Sequence, residues 1–208
     1  MRKRRMEMLL SSLKDTDRPI LGLEQYRTSS RIVCDMLYEA LERGDIEGRS
    51  LMELGCGSAP FAIGAALLGA RPVYGLDKDP VSLEFASWNI ELVEKKTGSR
   101  PEIELLNGDI TDPGLELPSV DTVMMNPPFG SQRRNADRPF VERAVSSSHA
   151  VYSIHNGNSM DFLKKLSGAL EVRMEVLWDD QLELPHRYDH HRTERSKINI
   201  IVVRYNKA

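Results

Sequence analysis

The sequence predicts an α/β fold: a doubly wound, seven-stranded, mostly parallel sheet with an antiparallel last strand. Three observations carry that expectation. Short apolar runs bounded by turn residues alternate with longer stretches of helical period. One such run leads into Gly55-Cys56-Gly57 and then an apolar helix, the start of a nucleotide-binding strand–turn–helix unit. The last two strand candidates are joined by a long charged connection with no helical period, which suits an antiparallel pair better than a crossover.

The 208 residues, 40% of them apolar, are enough for one core, and a single domain over 1–208 is expected, with 1–45 as an N-terminal helical, lid-like segment packed on it. A net charge of −3 argues against a histone-like nucleic-acid binder, so any such contact has to be regional. Cys34 and Cys56 alone supply neither a disulfide framework nor a four-cysteine zinc site, and a reducing, cytoplasmic setting follows. The apolar stretch Met6 to Leu10, interrupted by Glu7, is too short for a signal peptide or a membrane span.

In chain order, Met6 to Leu13 predicts a short helix behind a solvated basic tail. Ser30 to Leu41 predicts a second, with Thr28 or Ser29 as its cap and Gly44 as its stop; the loop before it is well placed to lie over a pocket. Strands are expected at Ser50–Leu54, Pro72–Leu76, Glu102–Leu106 and Val120–Met125, with helices Phe61–Leu68 and Val81–Lys95 between the first three. Ser131 to Arg143 reads as a loop running into a short helix. A strand Ala150–Ile154, a helix Ser159–Leu166 and strands Val172–Trp178 and Asn199–Tyr205 complete the chain.

Ligands in such sheets sit beyond the carboxyl ends of the strands, where Gly55-Cys56-Gly57, Asp77, Asp109 and Asn126-Pro127-Pro128-Phe129 all fall. No Lys-Ser or Lys-Thr follows the glycine turn, which removes a phosphate-gripping loop. What remains is a nucleoside-sized cofactor without phosphates, with Asp77 accepting from ribose hydroxyls and Asp109 beside an adenine amino group. Cys56 reads as a small buried filler. Asn-Pro-Pro-Phe has a sharper logic. Proline fixes φ and restricts the residue before it, so the Asn126 side chain and the Pro127 carbonyl become two aimed acceptors. They suit the amino group of a planar base, whose lone pair is delocalised until both N–H groups are engaged, and Phe129 can stack on that base.

These segments resemble class I, Rossmann-like S-adenosylmethionine-dependent methyltransferases. More narrowly, the chain is similar to the ribosomal RNA adenine-N6 methyltransferases that modify the small-subunit RNA. The likeness runs through Leu23-Glu24-Gln25-Tyr26 with Thr28, Leu54-Gly55-Cys56-Gly57, Ile63-Gly64, Leu68-Gly69-Ala70, Met125 to Gly130, Ala150 to Ser153 with His155, and Leu184-Pro185 with Tyr188. The resemblance implies S-adenosyl-L-methionine held by Gln25, Tyr26, Thr28, Glu53, Gly55, Gly57, Asp77, Asp109 and Asn126. It implies Asn126, Pro127, Pro128 and Phe129 as the grip on the target base, and a small zinc-binding activator protein as partner. Arg27 stands where that family often has proline, and Ala59 where it often has glycine. Guanine N2 of RNA, adenine of DNA and glutamine of a protein remain alternative acceptors; an RNA-binding or assembly factor retaining the fold is the non-enzymatic alternative.

An acidic protein that holds RNA needs a local basic rim, and Arg133, Arg134, His186, Arg187, Arg192 and Lys197 are its candidates. His186, His190 and His191 are crowded by Arg187, Arg192 and Arg195, so the histidines read as part of that charged loop rather than as metal ligands. His155, near the fifth strand, is placed to touch substrate or to pack, and the packing role is preferred.

Overall fold

The computed structural model describes residues 1–15, 28–129, 136–183 and 197–207. The chain opens with α1 (Lys3–Ser11) and α2 (Ser30–Glu42), followed by β1 (Leu51–Leu54), α3 (Pro60–Leu67), β2 (Val73–Asp77) and α4 (Pro80–Thr97). Next come β3 (Ile103–Asn107), β4 (Val120–Met125), α5 (Arg138–Ser147), β5 (Ser148–Asn156) and α6 (Met160–Ala169), and β6 (Val172–Glu183) and β7 (Lys197–Lys207) end it.

The sheet order is β3-β2-β1-β4-β5-β7-β6. The first five strands in that order run parallel, while β7 is antiparallel to both β5 and β6. The predicted architecture therefore holds, hairpin included, although β6 and β7 extend well beyond the apolar runs that announced them. Main-chain pairing continues into charged sequence as long as each strand has a partner, and a bulge between Val176 and Trp178 absorbs the mismatch.

One correction concerns the N-terminus. Lys3 to Arg5 are exposed, as expected of a solvated basic stretch, but they are helical and form the first turn of α1. Lysine and arginine are good helix formers, Met6, Leu9 and Leu10 are buried beneath that turn, and Lys3 Nζ lies 2.7 Å from the Asp35 carboxylate on α2.

Two apolar layers flank the sheet. One joins α1, α2, α3 and α4 to the strand residues Leu51, Met124, Tyr152 and Val202. The other joins α5 and α6 to Met52, Leu54, Val123, Met125, Val151 and Val203. The alternation along each strand assigns neighbours to opposite layers. The approach of α2 to α3 is set by Gly64, where an added Cβ would fall 2.3 Å from Leu37 Cδ1. Helix α2 is capped by Ser29, whose Oγ accepts from Ile32 N at 3.3 Å. Thr28 is thereby left for another task. Among the described residues no helix is long and apolar enough to cross a membrane.

Candidate active site

Because β3, β2, β1 and β4 are neighbours and parallel, the residues after each strand meet along one edge. The glycine turn after β1 uses positive φ at Gly55 (+64°) and Gly57 (+53°). Among the described residues an added Cβ at Gly57 would meet nothing within 4 Å, so they leave this stretch of backbone open to a ligand. At Gly55 it would lie 3.2 Å from Phe140 of α5.

Asp77, at the end of β2, braces that turn. Its Oδ2 accepts from Gly57 N at 2.8 Å and its Oδ1 from Asp79 N at 2.9 Å. Each oxygen keeps a lone pair for a further donor. Burial pushes this carboxyl above its ordinary range, and the backbone bonds from Asp79 and Gly57 oppose the shift. Asp109 follows β3 and is half-buried. Its Oδ1 accepts from Thr111 N at 2.9 Å and Thr111 Oγ1 at 2.8 Å, and its Oδ2 lies 3.7 Å from Lys78 Nζ. The Thr111 bonds, helped by Lys78, hold this carboxyl below the usual range. Asp109 thus stands at the expected strand end while also serving its own turn.

Glu53 lies underneath the turn. It is 3% exposed, its Oε2 accepts from Ala62 N at 2.8 Å in the first turn of α3, and burial pushes its carboxyl up to about 8. Among the predicted cofactor residues it supports the loop from below. Cys56 is buried and burial raises its thiol well above the ordinary value, as suits a filler. Ala59 adopts a left-handed conformation (φ 61°, ψ 43°) as the N-cap of α3.

Asn89, which sequence reasoning missed, completes this half. It is 0% exposed in the middle of α4, where asparagine is a poor helix former. Its Oδ1 accepts from Lys14 N at 2.9 Å, and its Nδ2 donates to Lys14 O at 2.8 Å and Ser58 O at 3.1 Å. One amide therefore ties the segment after α1 to the residue following the glycine turn. A buried asparagine inside an apolar helical period was the available signal.

The half expected to take the acceptor starts where β4 ends. Asn126 Nδ2 donates to Thr28 Oγ1 at 2.9 Å, and Thr28 is buried. Thr28, expected over the cofactor, is bonded to Asn126, the asparagine expected to grip the target base. Pro127 is buried, and Phe129 is partly buried against the larger apolar layer. His155 is fully buried, in agreement with a packing position. Gln25, Tyr26, Arg133, Arg134, His186, Arg187 and Arg192 lie outside the described residues, as do His190, His191 and Arg195. Lys197 is the exposed first residue of β7, opposite Glu183.

The parallel strands and the reversed last strand form the Rossmann-like sheet of the class I methyltransferases, a class that uses S-adenosyl-L-methionine. A family model described as ribosomal protein L11 methyltransferase (PrmA) matches residues 33–126. The rRNA N(6)-adenosine-methyltransferase METTL5 of Danio rerio is 32% identical, with 99% of each chain covered. The Caenorhabditis elegans rRNA N(6)-adenosine-methyltransferase metl-5 is 30% identical over 96% of this chain and 95% of its own. A crystal structure of a candidate RNA methyltransferase from Pyrococcus horikoshii superposes with a TM-score of 0.85 at 33% identity, covering 100% of this chain and 98% of that one. The chain belongs to the METTL5 family of rRNA N6-adenosine methyltransferases.

Proposed function

We propose that this enzyme methylates N6 of an adenine in small-subunit ribosomal RNA, in the cytoplasm. The observation that carries the proposal is Asn126, presented at the end of β4 with its amide nitrogen bonded to Thr28 and followed by Pro127, Pro128 and Phe129. Family membership narrows the acceptor to an adenine of ribosomal RNA.

The residues present fit the cofactor. Gly57 offers open backbone, Asp77 retains acceptor capacity for a ribose diol, and Asp109 stands one strand further out for the base. When bound, S-adenosyl-L-methionine supplies an electron-poor methyl group. The chain's own task is to prepare the nitrogen that attacks it. Asn126 Oδ1 and the Pro127 carbonyl accept the two N–H groups of the target amine, which favours a pyramidal nitrogen with its lone pair localised. Phe129 stacks on the base, which has to be unpaired or flipped to reach the sheet edge. One of the two N–H protons leaves to solvent after transfer, so no general base is required.

Guanine N2, a DNA adenine and a glutamine amide also present planar amino nitrogens, and a non-catalytic assembly factor would present none of this chemistry. Incubating isolated small and large ribosomal subunits and duplex DNA with enzyme and cofactor, then digesting to nucleosides for mass spectrometry, separates them. N6-methyladenosine confined to the small-subunit RNA is the expected product. N2-methylguanosine, or a mark on the large subunit or on DNA, would overturn the assignment.

The proposal includes the small zinc-binding activator. On this side of the sheet β3 is the outermost strand, and its Ile103 and Leu105 pack only partly into the core, leaving an apolar edge for such a partner. Activity that is insensitive to an added activator would remove it. The rim of Arg133, Arg134, His186, Arg187, Arg192 and Lys197 supplies phosphate contacts. Replacing Arg133 and Arg134 with alanine should weaken RNA binding and lower the slope of log affinity against log salt by about 1 per lost contact. An unaltered slope would reject that role.

A further inference from the structure

We propose that Asp137, His155 and Tyr205 act as positioning residues for the acceptor half of the site, fixing the chain where it returns from the base grip. The proposal rests on Asn126 to Phe129 being that grip.

Asp137 occupies the N-cap of α5, where an aspartate ordinarily accepts from the backbone N–H groups of the first turn. It makes no such bond. Its Oδ2 lies instead 3.0 Å from Nδ1 of His155, and Asp137 is 4% exposed. A carboxylate only accepts, so Nδ1 donates, and in a neutral imidazole Nε2 is then the acceptor. Tyr205 Oη faces Nε2 at 3.4 Å, with the two rings edge to face at 89° and 6.3 Å between centroids. Burial, and after it the Asp137 charge, raises the Tyr205 phenol, which keeps it a donor. His155 is 0% and Tyr205 1% exposed.

These polar groups sit in a layer otherwise built from Met125, Val151, Leu163 and Val203, where apolar side chains would pack without desolvation cost. Their position supplies a reason for them. The ladder pairs Met125 of β4 with Ser153 of β5, so two residues further His155 stands level with Pro127. The segment containing the base grip leaves from β4 and is fastened again at Asp137. The Asp137–His155 bond closes that excursion onto β5, and the turn of α5 it holds carries Phe140, the residue against Gly55. The cluster thus sets the acceptor segment relative to the glycine turn.

The test compares His155→Phe, Asp137→Ala, Asp137→Asn and the double variant Asp137→Ala/His155→Phe, using the full chain, cofactor and the RNA the wild type methylates. His155→Phe and Asp137→Ala should each lower kcat per folded molecule by roughly 10–100-fold, the scale of a small misplacement at a reacting centre. Cofactor Kd should stay within about twofold. Asp137→Asn keeps an acceptor oxygen and should retain kcat within about threefold. The double variant should be no worse than the weaker single, because each single already breaks the Asp137–His155 bond. Unchanged kcat in His155→Phe, multiplying losses in the double variant, or cofactor affinity falling in step with kcat would each overturn the proposal. If His155→Phe does not fold, Tyr205→Phe, which removes one oxygen, decides: a several-fold lower kcat supports the tie and an unchanged kcat rejects it. Failure of the wild type to methylate any RNA would remove the parent reading before any variant is made.

Discussion

The proposed cofactor and acceptor halves of the site are held together by different means. In the cofactor half, the acids at the strand ends bond mainly to backbone N–H groups: Asp77 to the glycine turn and to Asp79, Asp109 to Thr111, Glu53 to the first turn of α3. In the acceptor half, side chains bond to side chains. Thr28 reaches Asn126 across 98 residues, Asp137 reaches His155 across 18, and His155 reaches Tyr205 across 50. The first half is a set of braced turns that any nucleoside-binding sheet can build. The second is assembled from elements far apart in the chain, so its geometry depends on the whole fold being in place. In keeping with this, the match to the ribosomal protein L11 methyltransferase family runs from α2 to Asn126.

Separating the halves by mutation is the strongest way to break that comparison. Asn126→Ala should lower methyl transfer by at least roughly 10²-fold, the scale of removing one aimed polar group, with cofactor Kd within about twofold. Titration calorimetry beside a methyl-incorporation assay reads both quantities; parallel loss would mean the halves are one unit. Asp77→Asn is the converse. Losing the charge that braces Gly57 and is proposed to face the ribose should raise cofactor Kd about tenfold or more, while kcat at saturating cofactor falls far less. A kcat loss as large as that of Asn126→Ala would contradict the division.

Glu53 sharpens the comparison from below. Its folded carboxyl titrates near 8 against an ordinary 4.5, so the neutral form is favoured by folding. Its contribution to stability is fully present below about 4.5 and is lost as pH rises through about 8. Glu53→Gln should therefore flatten the stability–pH profile across that window, and the variant should gain on the wild type above pH 8. Chemical denaturation at several pH values measures this; an unchanged profile would show that Glu53 does not titrate in that window. The smallest effect is expected at Ala59. Relieving its left-handed conformation with Ala59→Gly should leave stability unchanged or raise it by up to about 1 kcal/mol, with cofactor Kd unmoved. A lower Tm would show that the methyl group's packing outweighs the strain.

How legible each half was follows from the same distinction. The strand ends were readable because Gly55, Gly57, Asp77, Asp109 and Asn126 each fall beside the end of an apolar run, and period-2 and period-3.6 patterns place such ends within a few residues. The antiparallel hairpin was readable from the missing helix. Asn89 was not, because one polar residue inside a helical period carries no label for its partners in Lys14 and Ser58. The Thr28 bond was concealed differently: Thr28 and Ser29 were equal candidates to cap α2, and only packing assigned the cap to Ser29 and released Thr28 towards Asn126. The first turn of α1 includes Lys3, whose contact with Asp35 on α2 lies outside any local pattern.

The bond between Thr28 and Asn126 also carries an evolutionary consequence. Two positions that share one hydrogen bond are not free to drift separately, since replacing the threonine hydroxyl leaves the amide to find another orientation. Substitutions at the two sites should therefore be inherited together, and a lineage that has changed one without the other is where a different acceptor should be sought.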